Sequence, residues 1–372
     1  MSIYNAKFSN GLEIPVLGLG TYKEENEEVL IKAIKSAIQS GYRHFDCAHI
    51  YFNEQHIGKA IRESIAESNG SLKREDFFIT SKCWNTFHST QKVHLCLDQI
   101  IERLGLEYLD LYLIHWPMGF KEDAGDYPMG EDGKMIASDV HYLDTYKAME
   151  ECVRNGKAKS IGLSNFNIQQ IQDVLNNCTI RPVCNQFEVN PLFRNEELVQ
   201  FCQKNDIVVV AYAPLGAPDR AWLKSEDPVP LQHPIVLNLA KKHNKSPAQI
   251  ILRWLLQRNI VVIPKSVNPG RIEENSKIFD FTLSDEDAAE FNNFKDQFRF
   301  YKFEVSDNHP FYPIPAHNIE KLAPVSLPKI DLAEFTSDGS FAWFWGLPKL
   351  VCLEFSKPNL VCQIFGKPKL VC

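Results

Sequence analysis

Short apolar runs that stop on a polar or ionisable residue recur along this chain, separated by segments with helical spacing. The run 43–46 reaches Asp46, with Tyr51 five residues further on. Run 77–81 stops at Lys82, 109–114 at His115, 160–163 at Ser164 and Asn165, and 182–185 at Gln186. Run 208–211 stops at Tyr212 and 260–264 at Lys265. Between these runs apolar residues return every three or four positions, as at Val29, Ala33, Ile34, Ala37 and Ile38, which predicts amphipathic helices. Helices are expected over 26–40, 54–67, 90–104, 143–155, 168–176, 196–205, 235–243, 246–258, 271–278 and 284–294. Gly41 and Gly156 serve as stops, and Pro247 stands at a first turn, where proline is tolerated.

A strand through 17–21 precedes this series, giving eight strands in alternation with helices. Strict alternation argues a parallel sheet with right-handed crossovers. Eight units argue closure into an α/β fold of the (β/α)8 barrel type. The phosphate-binding G-x-G-x-x-G of open sheets is absent, since Gly18-Leu-Gly20 continues into Thr21-Tyr22-Lys23. Ahead of the barrel, 4–8 and 12–16 flank Asn10-Gly11 and predict a β-hairpin. Two polar stretches, 121–138 and 216–232, predict long rim loops. The barrel is expected to span 1–315. Residues 316–372 form an appendage with a ten-residue repeat, ending in Leu-Val-Cys at Cys352, Cys362 and Cys372, and this tail is expected to be disordered.

Composition narrows the class. With 44% apolar and 23% charged residues the chain reads as a globular protein, and a formal charge of −7 gives no basis for nucleic acid or an anionic membrane as partner. No run is long and apolar enough for a spanning helix, and the N-terminus has no apolar signal core. The seven cysteines before the tail have no Cys-x-x-Cys spacing and fit reduced, buried thiols and a cytoplasmic location. His44 and His49 lack the partners and spacing of a metal site, so no metal is expected.

In a closed barrel, the C-terminal ends of the strands surround one point, and functional groups collect there. Asp46, Tyr51, Lys82 and His115 make a proton-donating set. A tyrosine hydroxyl ionises near pH 10, a neighbouring ammonium is expected to lower that value, and a carboxylate keeps the ammonium charged. His115 can orient the same acceptor oxygen. Delivering a proton to a carbonyl leaves a hydride to be found, and no side chain supplies one, so a reduced nicotinamide is implied. Ser164, Asn165 and Gln186 offer partners for its carboxamide, and Tyr212 a face for its ring. Lys265, Ser266 and Arg271 group two cations and a hydroxyl near a helix start, which suits a phosphate monoester and favours NADPH over NADH. Taken singly, each residue also has an ordinary reading as a solvated rim charge or a packed aromatic; their concurrence at successive strand ends decides for chemistry.

The segments Gly18-Leu-Gly-Thr21, Arg43 through Tyr51, Tyr112-Leu-Ile-His-Trp-Pro117, Ile161 through Phe166, Ile263-Pro-Lys-Ser266 and Arg271 through Asn275 closely resemble the signatures of the aldo-keto reductases. Segments 81–88 and 211–220 look most like aldose and aldehyde reductases. The resemblance implies a monomeric, NADPH-dependent reductase of small carbonyl compounds, with Tyr51 as proton donor supported by Lys82 and Asp46, and His115 orienting the carbonyl. It implies that Gly20, Thr21, Tyr22, Ser164, Asn165, Gln186, Tyr212 and Leu215 lie against the cofactor, and that Lys265, Ser266, Arg271, Glu274 and Asn275 hold its adenosine end. The substrate pocket it implies is lined by Tyr22, His49, Trp84, Trp116, Phe120 and Trp222. Two positions depart from the aldose reductase pattern: Tyr22 stands where tryptophan is usual, and Ala213 where serine is usual. A barrel that binds the cofactor in a regulatory or structural role is the alternative within the same superfamily.

Overall fold

The computed structural model describes residues 4–220, 223–295, 297–314, 351–354 and 361–364. Two short strands, β1 (Asn5–Lys7) and β2 (Glu13–Pro15), pair antiparallel as the Asn-Gly turn predicts. Eight parallel strands follow: β3 (Gly18–Gly20), β4 (His44–Asp46), β5 (Phe78–Cys83), β6 (Leu111–Ile114), β7 (Ile161–Ser164), β8 (Cys184–Glu188), β9 (Val208–Tyr212) and β10 (Ile260–Val262). Each pairs with its sequence neighbour. Parallel bridges Leu17–Val262 and Gly20–Lys265 close the ring. A Cβ on Gly20 would stand 2.8 Å from the Ile263 carbonyl oxygen, so this seam requires glycine.

The helices lie outside the ring: α1 (Glu27–Gln39), α2 (Glu54–Glu67), α3 (Thr90–Leu104), α4 (Tyr142–Arg154), α5 (Ile168–Asn177), α6 (Glu196–Lys204), α7 (Pro234–His243), α8 (Pro247–Gln257), α9 (Pro269–Ser276) and α10 (Asp285–Glu290). Their starts are written in the sequence as caps. Asn26 Oδ1 accepts the Val29 N–H, and Ser246 with Gln249 and Asn167 with Gln170 form reciprocal boxes. The expected helix over 284–294 stops earlier, at Glu290, and tightens into a 3-10 turn over Phe291–Asn293.

Two apolar layers result. The larger lies between strands and helices and includes Ile34, Ile57, Leu97, Tyr146, Ile171 and Ile251. The other includes Phe78, Leu111, Leu113, Val210 and Val261 from the strands, with Phe8 and Ile14 from the N-terminal hairpin packed among them. Burying a large apolar side chain stabilises by about 1.5–3 kcal/mol, so the hairpin is held by its own two core residues. The six most enclosed cysteines before the tail are buried and Cys178 is partly so; all seven are free thiols.

Residues 218–227 and 317–372 belong to a second unit. Within it Arg220 donates to Asp227 at 2.5 Å. Two of the tail repeats supply strands β11 (Val351–Glu354) and β12 (Val361–Ile364), paired antiparallel with Val351 opposite Ile364. The expectation of disorder covers all of 316–372, and apart from these two strands that stretch lies outside the described residues. No described helix is long and apolar enough to cross a membrane.

Candidate active site

The strand ends bring the expected residues together on one rim. Asp46 closes β4 and Lys82 lies in β5, one strand over; Lys82 Nζ donates to Asp46 Oδ1 at 2.6 Å and to the Cys47 carbonyl at 2.7 Å. Both side chains are almost sealed from water, at 1% and 3% exposure, so the pair is tied by charge in a low-dielectric pocket. The third contact of Lys82 is longer, 3.5 Å to Tyr51 Oη. Tyr51 ends a 3-10 turn, His49–Tyr51, and Phe52 behind it takes a left-handed φ of 56° that redirects the chain into α2. His115 follows β6 directly. Its ring meets Tyr51 edge-on at 5.9 Å and Trp84 at 5.2 Å, and its Nδ1 is buried with no protein partner.

The titration of these groups differs from the sequence expectation in one respect. Burial pushes Tyr51 well above its ordinary value, and the Asp46 carboxylate adds to the rise. The expected lowering by Lys82 is overturned chiefly by burial, and Asp46, 0.9 Å nearer to that ammonium than Tyr51 is, offsets its charge. Tyr51 therefore keeps its proton across the working range. Burial, with Lys82 nearby, holds His115 well below the usual imidazole range, and it stands neutral.

The second group forms a continuous chain of hydrogen bonds. Asn165 adopts φ 64°, a left-handed turn that asparagine tolerates, at the end of β7. That turn aims its Nδ2 at the His115 carbonyl (2.9 Å) and at Ser164 Oγ (3.1 Å), while its Oδ1 accepts from Tyr212 Oη at 2.8 Å. Gln186 does not end its strand: β8 runs on to Glu188, and Gln186 Nε2 donates to Asp46 Oδ2 at 2.7 Å. Thr21 Oγ1 donates to the Asp46 carbonyl at 2.8 Å. Tyr22 lies 5.1 Å from Tyr51, ring to ring, and Leu215 is half-buried after β9. Ala213 takes a left-handed φ of 46° in this turn.

Further round the ring, Lys265 and Ser266 are half-buried beyond β10, and Arg271 stands exposed in the first turn of α9. Asn268 caps that helix, its Oδ1 accepting the Arg271 N–H at 3.1 Å. Glu274 is exposed; Asn275 is buried. Two cations, a hydroxyl and a helix start thus gather at one edge of the same rim.

Of the expected pocket residues, Trp84 and Trp116 pack with Phe303, which the sequence did not single out. Phe120 is fully buried and packs edge-on against both Trp84 and Phe303. His49 is also turned inward: Arg103 Nη2 lies 2.9 Å from its Nδ1, Asp126 3.4 Å from its Nε2, and Phe87 against its ring. Trp222 lies outside the described residues. Two further residues went unnoticed in the sequence. Glu188, buried at the end of β8, accepts the backbone N–H groups of Phe300 and Tyr301 at 2.9 Å each. Tyr301 is thereby held edge-on to Tyr212 at 5.6 Å. A strand-end carboxylate two residues after Gln186 was the available signal for Glu188; Tyr301 had none.

Comparison with known proteins bears on the family of the chain. Residues 16–296 match the family model described as Aldo/keto reductase family. The chain is 45% identical over 313 residues to the Gallus gallus protein named aldo-keto reductase family 1 member A1, covering 82% of this chain and 95% of that one. The Homo sapiens protein of the same name is 42% identical over 312 residues, with 82% and 95% coverage. Among solved structures, the aldose reductase from Schistosoma japonicum superposes with a TM-score of 0.79 at 42% identity, over 84% of this chain and 99% of that one. Rim chemistry, closed eight-stranded ring and these relatives lead to one conclusion: the chain belongs to the aldo/keto reductase family and is an oxidoreductase.

Proposed function

We propose that this protein is an NADPH-dependent reductase of aldehydes and ketones in which Tyr51 gives the proton. The observation that carries the reading is the buried Lys82–Asp46 pair at 2.6 Å with Tyr51 Oη 3.5 Å from the same ammonium. When bound, a reduced nicotinamide supplies the hydride. The donor set fits such a group: Ser164, Asn165 and Gln186 have amide and hydroxyl functions for its carboxamide, and Tyr212 an aromatic face. Lys265, Ser266, Arg271 and the start of α9 suit a ribose phosphate, which is the basis for preferring NADPH.

The chain's own residues do the rest. Tyr51 Oη holds its proton because burial disfavours the phenolate. As negative charge grows on the substrate oxygen, that proton moves from Oη to the oxygen, and the nearby ammonium of Lys82 stabilises the phenolate left behind. Asp46 keeps Lys82 charged and fixed, and Gln186 occupies the other carboxylate oxygen. His115, neutral and facing Tyr51 across the rim, is suited to hydrogen-bond the carbonyl through its other ring nitrogen, Nε2, and set its direction. The aromatic wall of Trp84, Trp116 and Phe303 excludes water and favours substrates with an apolar or mixed body.

NADPH oxidation at 340 nm with aldehydes, sugars and ketosteroids tests the reading. Tyr51→Phe is expected to abolish turnover and leave NADPH binding intact. NADPH binding by the unaltered chain without turnover of any carbonyl would favour a regulatory role.

A further inference from the structure

We propose that Arg103, in the outer helix layer on α3, is a positioning residue for Tyr51; this rests on the reading of Tyr51 as proton donor. Among the described residues, Lys82 at 3.5 Å is the hydrogen-bond partner of Tyr51 Oη. Where the phenol sits is therefore set by its ring neighbours Tyr22 and His115 and by the backbone that carries it. That backbone is a single 3-10 turn closed by Tyr51 N–H to the Ala48 carbonyl at 3.0 Å, followed by the left-handed Phe52. One turn and a hinge are a weak hold for a group that has to keep its distance from a lysine on another strand.

Arg103 grips this segment on both sides of the tyrosine. Its Nε and Nη2 donate to Glu54 Oε2 at 2.8 and 2.6 Å, and Nη2 also lies 2.9 Å from His49 Nδ1. Nδ1 of His49 thus faces the guanidinium and, at 3.8 Å, Cys96 Sγ, while Nε2 faces Asp126 at 3.4 Å. His49 opens the turn that ends in Tyr51, and Glu54 opens α2 three residues after it. The other oxygen of Glu54 accepts from Ser81 Oγ at 2.6 Å, and Ser81 immediately precedes Lys82. A single cation thus links the two flanks of Tyr51 to the strand that carries Lys82. Glu54 is wholly buried while the Arg103 side chain is 29% exposed, so the ion pair is anchored on its inner side. Asn53, whose Nδ2 donates to the Thr21 and Glu24 carbonyls, fixes α2 to β3 but makes no link to β5.

The test uses the full chain. Arg103→Met is expected to lower kcat by about 10- to 100-fold, the effect of an ångström-scale displacement of a reacting group, with NADPH Kd within about twofold of the parent. Arg103→Lys, which keeps one charged contact to Glu54, is expected to recover most of that loss. An unchanged kcat in Arg103→Met overturns the proposal. So does a loss of kcat and NADPH binding in step with the folded fraction, or Arg103→Lys as impaired as Arg103→Met. If Arg103→Met does not fold, Glu54→Gln carries the test, since it keeps shape and removes the gripped charge; the same fall in kcat is expected and an unchanged kcat again overturns it. Tyr51→Phe is measured alongside. Turnover by that variant would remove the underlying reading, whereas a dead Tyr51→Phe beside a fully active Arg103→Met removes only the role of Arg103.

Discussion

Gln186 reaches from β8 to Asp46 on β4, Nε2 to Oδ2 at 2.7 Å, while Lys82 takes the other oxygen of the same carboxylate at 2.6 Å. Asp46 is thus fully engaged, and its charge is what allows an ammonium to exist in so closed a place. Asp46→Asn removes that charge and leaves Lys82 buried without a counter-ion, a loss of about 3–5 kcal/mol for a broken buried pair. The variant is expected to unfold at clearly lower urea and to lose at least about tenfold in kcat, and urea titration with steady-state kinetics checks both.

The raised Tyr51 and the depressed His115 set the pH profile of turnover. Tyr51 stays protonated until the pH passes its ordinary value of 10, and His115 stays neutral at and below 6.5. Across that interval kcat is expected to be flat. A fall centred between pH 7 and 9 would place a different group, or a lowered Tyr51, in the rate-limiting step.

His44 makes the folded state sensitive to acid. It is fully buried in β4, and burial lowers its pKa to about 4. Nδ1 donates to the Pro15 carbonyl at 3.2 Å and Nε2 accepts from Thr80. A depressed histidine contributes stability that is present above its unfolded value of 6.5 and is lost as pH falls toward 4. The loss amounts to about 1.4 kcal/mol per pH unit in that window. Urea midpoints at pH 7 and 5.5 are expected to differ accordingly, and His44→Asn to flatten the difference. Gly18 belongs to the same contact: a Cβ there would meet His44 Nδ1 at 2.5 Å, so Gly18→Ala is expected to destabilise by about 1–3 kcal/mol.

Glu188 fastens the segment after α10 to the rim through Phe300 and Tyr301. Hydrogen bonds to a charged group contribute about 1.5–3 kcal/mol each. Glu188→Ala is expected to release Tyr301 from Tyr212, raising KM for bulky aldehydes several-fold more than for small ones, with Tyr51 chemistry retained. A uniform loss across substrate sizes would argue against a specificity role.

The appended tail is expected to be dispensable for turnover. The Gallus gallus relative aligns over 95% of its own length with 82% of this chain. A chain ending at His317 should reduce the same carbonyls with kcat within about twofold, and a gain in kcat would mark the tail as inhibitory.

Strand order and helix positions were legible because each strand is short, apolar and bounded, and each helix repeats apolar residues every three or four positions, several with a capping side chain at the start. Asn26, Ser246 and Asn167 mark the starts to the residue. The rim chemistry was legible for the same reason, since strand ends fix where Asp46, Lys82 and His115 point. What escaped the sequence depends on tertiary neighbours. Arg103 looks like any helix-surface charge until Glu54 and His49 are placed beside it. The direction of the Tyr51 shift depends on how deeply the phenol is enclosed and on the Asp46 charge beside it. Phe303 enters the aromatic cluster of Trp84, Trp116 and Phe120 only once the chain after α10 is placed.

The seam between Gly20 and Lys265 makes the barrel a ring without an edge. An edge strand is a template for pairing with other chains, and the finished ring offers none. The protection arrives late in synthesis. Until β10 has emerged and docked, β3 and β9 each present an open row of backbone donors and acceptors, and the pairing that seals them joins distant parts of the chain. Ribosome stalling or proteolysis ahead of Ile260 would therefore yield fragments with two sticky borders, whereas completion turns the same sequence into a self-contained cylinder.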